Sequence, residues 1–153
     1  MFTRQCARDR WFMSESPETI RSVRQWVEKA EHDLIAAEHT LTLEENCPLD
    51  TICFHTQQCA EKYIKAFLVQ QSIGFPKTHD LRALMQLIPL DLSLLGLDKA
   101  EVLKLNRYTI EARYPGSWEP ITREETEQAV AIAKSVREAV RAHLHEDVLD
   151  KKG

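Results

Sequence analysis

Arg113, Tyr114 and Pro115 stand together where a helical pattern gives way to a loop. A guanidinium presents a planar fork of donors that fits phosphate. The neighbouring phenol adds a stacking face and a hydroxyl. Six residues earlier the Arg-Tyr pair recurs as Arg107 and Tyr108. The structural alternative is an arginine paired with Asp or Glu, Asp80 for instance, that pins the loop. Thr78-His79-Asp80 is a second candidate. A helix beginning there would attract anions, and His79 would titrate or donate. The plainer reading is an N-cap with a histidine that orders the turn. A third set is Gln58, Glu61, Lys62 and Lys65, which fall in one roughly 100° sector of a helix. Lys62 and Lys65 could meet phosphate, but Glu61 could equally neutralise Lys65 one turn on. This face reads first as solvated surface.

Long helices must position these groups. The 153 residues suffice for one domain with its own core. Only four glycines and six prolines interrupt the chain, and no Val/Ile/Thr-rich alternating run suggests a strand. Ser16 and Pro17 open a first helix as N-cap and first helical residue, extending to about Leu43. Its inward stripe is Val23, Trp26, Val27, Ala30, Leu34, Ala37 and Leu41. Asn46-Cys47-Pro48 ends it. A second helix spans about Asp50 to Gln71, with Cys53, Ala60, Ile64, Phe67 and Leu68 inward and Gly74 as its stop.

Thr78 caps a short helix from about His79 to Leu87. Asp98 with Glu101 forms a capping box for a helix from about Lys99 to Ala112. Thr122 with Glu125 forms another, opening a last helix that runs to about His145. Its inward set is Ala129, Ile132, Ala133, Val136, Val140 and Leu144. The fold class expected is all-α: an up-and-down four-helix bundle with an additional short helix. Residues 1–15 read as a disordered extension, with Met13 as a second plausible translation start. Residues 16–146 are the bundle and residues 147–153 a frayed tail.

Several chemistries are disfavoured. A net charge of −4 does not suit a surface that coats nucleic acid, though it permits a local basic site. The four cysteines lack CxxC spacing and a secretory signal, so they read as reduced thiols in a cytoplasmic protein. His55 and Cys59 lie four apart on a helix, but no third ligand completes a metal set. No metal or cofactor is implied. No Glu-x-x-His, GxGxxG, P-loop or GxSxG occurs. No apolar run approaches the ~20 residues that span a bilayer, so no membrane is expected.

One ordered set of residues carries more information. Phe54-His55-x-x-Gln58-x-Ala60-Glu61-Lys62-x-x-Lys65-Ala66 is followed by Gly74 and then Pro76-x-Thr78-His79-Asp80-Leu81. Upstream stand Trp26, Ala30, Asp33, Leu34 and Ala37; downstream stands Ala112-Arg113-Tyr114-Pro115. In this order and spacing they resemble the HEPN domain, the "higher eukaryotes and prokaryotes nucleotide-binding" family, over about residues 20 to 145. The resemblance implies the same bundle, a homodimer, and a nucleotide, nucleic-acid end or RNA as ligand at Arg113, Tyr114, His79, Lys62, Lys65 and Gln58. It also implies a small nucleotidyltransferase as partner in a toxin–antitoxin-like module.

Ribonuclease toxins of this family carry Arg, four to six residues, then His, at a dimer interface. Arg137 and His143 fit that spacing and would be the catalytic pair of a metal-independent ribonuclease. With 11 Arg and six His in the chain, about one such match arises by chance. Glu138 follows Arg137, and His145 stands where some toxins have Tyr. The expectation is therefore a binding and interaction module rather than an enzyme. A structural adaptor without ligand is the third alternative.

Overall fold

The computed structural model of the chain describes residues 16–111 and 119–149. It is all-α. Among the described residues the order is α1 (Pro17–Leu41), α2 (Leu49–Gln70), α3 (Leu81–Gln86), a 3-10 turn (Leu92–Leu95), α4 (Lys99–Leu103), α5 (Tyr108–Glu111), α6 (Arg123–Arg141) and α7 (Glu146–Leu149). Helices α1, α2 and α6 are the long members of the bundle. The expected fourth helix is broken into α4 and α5. Lys104, Leu105, Asn106 and Tyr108 each bond three residues back, which tightens the backbone there. Asn106 is spent on α3, accepting from Leu81 N–H and donating to Asp80.

The helix starts follow from local chemistry. Ser16, Asp98 and Thr122 each accept a backbone N–H three residues ahead. Other boundaries differ from the sequence reading. Asp80, not Thr78, caps α3 by accepting from Arg82 N–H, while Thr78 accepts from Asp80 N–H in the preceding turn. The left-handed residue after α2 is Ser72, at φ 58°, so Gly74 is not its stop. Helix α6 ends at Arg141, short of His145. Glu146–Leu149 forms a further helical turn, with Val148 buried, and the rest of the tail expected to fray lies outside the described residues.

Helix α2 lies at the centre, against α1 on one side and α6 on the other. The core joins Val23, Val27, Ala30 and Leu34 of α1 to Ile64, Phe67 and Leu68 of α2 and to Ile132, Ala133, Val136 and Val140 of α6. These are the inward residues the helical period picked out. Burying one such Leu, Ile or Phe contributes roughly 1.5–3 kcal/mol. Central placement also buries the face expected to be solvated: Gln58, Glu61 and Lys65 are all enclosed.

Candidate polar site between α1, α2 and the Phe75–Asp80 strap

The segment between α2 and α3 folds back as a strap over the polar face of α2. Glu61, 2% exposed, is the hub. Its Oε2 meets Lys65 Nζ at 3.2 Å. Its Oε1 accepts from Gln57 Nε2 at 3.1 Å and from His79 Nδ1 at 2.9 Å. Gln57 also donates to the His79 carbonyl, and Gln58 donates to Gln57 Oε1 at 2.7 Å. The Lys65 ammonium lies 5.4 Å from the Trp26 ring and 5.6 Å from the Phe75 ring, a pair packed edge to face. An ammonium out of water gains from such aromatic faces. Of this cluster only the His79 side chain is widely open, at 51%.

A second cluster lies further up the same two helices. Asp33 of α1 accepts from His55 Nδ1 at 2.8 Å through Oδ1 and from Lys62 Nζ at 2.5 Å through Oδ2. Both clusters share one plan: a carboxylate between an imidazole Nδ1 and a lysine. Because a carboxylate only accepts, Nδ1 carries the proton in each neutral ring and Nε2 keeps the lone pair.

Gln58, Lys65 and His79 are thus brought into one network, and Lys62 into its neighbour. Arg113 and Tyr114 lie outside the described residues. Both lysines are already neutralised by carboxylates within the chain, so neither is a bare phosphate anchor. Sequence reasoning passed over Gln57, Trp26 and Phe75 as site residues. Asp33 and His55 were visible in the motif, but only the packing of α1 on α2 pairs them.

Arg137 and His143 are not brought together within the chain. Arg137 faces α1 and holds Glu31 through a two-point fork at 2.8–3.0 Å. Arg141 reaches the same carboxylate at 3.4 Å. Burial pushes Glu31 up, but hydrogen bonds from Arg137 and Tyr63 and two guanidinium charges outweigh it, leaving its pKa below the ordinary value. His143 lies past the end of α6, exposed, with Nδ1 on the Ala139 carbonyl at 2.9 Å. The His143 ring turns back to its own helix end, while Arg137 turns to Glu31 of α1. Arg107, the earlier Arg-Tyr member, is paired with Glu125 at 2.6 Å, which also accepts from the Tyr108 hydroxyl. Cys59 is shut in the core, where burial and then the nearby Glu31 and Asp33 charges push its thiol to about 12. His55 turns to Asp33 instead of joining it.

The HEPN domain model matches residues 23–143. The chain belongs to the HEPN domain family. A relative in Methanocaldococcus jannaschii, named "Putative toxin MJ1304", is 26% identical over 149 residues, 88% of this chain and 95% of that one. The crystal structure of TT1696 from Thermus thermophilus superposes with a TM-score of 0.67 at 26% identity, covering 80% of this chain and 98% of that one. That of ST0689, an archaeal HEPN homologue, gives 0.61 at 22% identity over 79% and 96%, a likeness of fold. Among the described residues of this HEPN chain, no helix is long and apolar enough to cross a membrane.

Proposed function

We propose that the chain is a binding and interaction module of a toxin–antitoxin-like pair. It forms a homodimer and engages a nucleotide or nucleic-acid end at the strap, together with a small nucleotidyltransferase partner. One observation carries this reading: Lys65 and His79 bond a buried carboxylate directly and Gln58 joins it through Gln57, with the His79 ring left open to solvent. A buried ion pair contributes little net stability compared with apolar packing, and the open His79 ring is the part of this cluster that a ligand can reach. The toxin name of the Methanocaldococcus relative supports the cellular setting.

The test is calorimetric titration of ATP and a short single-stranded RNA into wild type and His79→Ala. Measurable binding that His79→Ala removes while the fold persists supports the site. No binding of either ligand by wild type overturns it. Sedimentation at micromolar concentration is expected to give twice the 17.7 kDa chain mass. A monomer throughout removes the dimer.

A second reading, a metal-independent ribonuclease using Arg137 and His143, draws on the same toxin name. It requires metal-free cleavage of RNA that His143→Ala abolishes. The binding reading ranks above it because Arg137 is committed to Glu31 and His143 to a backbone carbonyl.

A further inference from the structure

His55 occupies a rigid mid-helix position on α2, and its side chain is 30% exposed. Asp33 fixes the ring from α1 at 2.8 Å, which commits Nδ1 to the proton and leaves Nε2 as the nucleophilic atom in the neutral ring. An orienting carboxylate of this kind also stabilises the ring when it becomes cationic. Lys62 bridges to the other oxygen of Asp33 and is 22% exposed. An ammonium has three donors. Lys62 gives one to Asp33, so two can meet oxygens of an incoming anion. Because Lys62 also neutralises Asp33, a negatively charged group can approach the ring.

We propose that His55 is a phosphoryl-acceptor site, modified at Nε2 by a small donor of the phosphoramidate or acyl-phosphate class. This goes beyond the binding reading and does not depend on it. The Nε2 lone pair forms a bond to phosphorus as the bond from phosphorus to the donor's leaving group breaks. With phosphoramidate, ammonia leaves and takes its proton from water. No oxidation or reduction occurs. The ring keeps its Nδ1 proton, and the resulting positive charge lies against the Asp33–Lys62 pair on the Nδ1 side of the ring.

The other imidazoles lack one of these parts: His32 meets Glu28 through Nε2 itself, at 3.9 Å, and His145 Nδ1 accepts from the Asp147 N–H. His79 has the same carboxylate–lysine arrangement, but Lys65 is only 7% exposed, enclosed between Trp26 and Phe75, where Lys62 is 22% exposed. His143 is oriented by a neutral carbonyl. Phosphorylation of His55 would also place added negative charge against the α1–α2 seam.

The experiment is incubation of the whole chain with potassium phosphoramidate, followed by peptide mapping under alkaline conditions and phosphorus NMR. The expected result is one dominant acid-labile phosphoryl group, on His55. Asp33→Asn is expected to slow labelling by about tenfold or more, a small fraction of what losing an orienting carboxylate costs a catalytic triad. The same variant is expected to move the ring proton from Nδ1 to Nε2 in nitrogen NMR, which checks that Asp33 sets the tautomer, while the labelling rate reads its effect on phosphoryl transfer. Wild-type mapping alone keeps the proposal falsifiable if a variant fails to fold. Label that follows surface exposure across the six histidines, or that favours His79, overturns it. So does Asp33→Asn labelling as fast as wild type.

Discussion

Arg137 of α6 holds Glu31 of α1 by two arms, with Nε 2.9 Å from Oε2 and Nη2 2.8 Å from Oε1. The two residues lie 106 apart in sequence, so this fork ties the last long helix to the first. A bidentate contact adds geometric specificity that a single bond lacks.

Arg137→Ala is expected to destabilise the chain by about 1–3 kcal/mol, the cost of stranding a hydrogen-bonded charge, with the lower end favoured because water reaches part of the pair. Arg137→Lys should recover little, since an ammonium cannot form the fork. Urea denaturation midpoints check both. A stable Arg137→Ala variant that loses a biochemical activity would instead make Arg137 a functional residue.

Acid should weaken the same tie. Glu31 has a folded pKa below the ordinary 4.5, so the unfolded chain binds its proton more tightly. Stability from the tie is complete above 4.5 and is lost as pH falls through the lower folded value. The melting temperature should therefore drop on acidification below about pH 5. Glu31→Gln, less stable at neutral pH, should drop less across that window. Parallel curves for the two proteins would assign the transition to other carboxylates.

The thiols give a third expectation. Burial raises the pKa of both Cys53 and Cys59, the latter to about 12. Thiolate is the reactive form, so both should resist iodoacetamide in the native chain at pH 8. Cys47 is only partly enclosed and should react before them. Mass mapping of alkylated peptides reads the order. Rapid native labelling of Cys59 would mean that the α1–α2 seam opens readily.

Much of the fold was written locally. Ser16, Asp98 and Thr122 each sit three residues before the N–H they accept, so their caps are legible in short windows. The inward residues of α6 follow the helical period. The polar stripe of α2 misled for the opposite reason. Its period separates polar from apolar residues correctly, but what covers the polar side is Trp26 from α1 and Phe75 and His79 from the strap, all non-local. The cap of α3 shifted because Asp80 also gains the amide of Asn106, a partner 26 residues away. The motif held Asp33, His55 and Lys62, but not the side-chain triad that helix packing makes of them.

The Glu61–Lys65 pair separates a structural brace from a ligand site. Lys65→Met removes the ammonium and leaves a carboxylate that is 2% exposed without its counter-charge. Breaking one side of a buried pair in this way is expected to cost about 3–5 kcal/mol. Glu61→Gln made in the same chain removes the stranded charge and keeps an amide that can still bond Gln57 and His79. The double variant should therefore regain most of the loss, because a buried pair replaced as a unit is often close to neutral. Denaturation of both single variants and the double variant gives the coupling between the two residues. Nucleotide titration of the double variant then decides its role. If it folds near wild-type stability and no longer binds a nucleotide that wild type binds, the pair serves recognition beneath the strap. If it folds and binds as wild type does, the cluster only braces the strap against α2, and the ligand contacts must come from elsewhere in the chain.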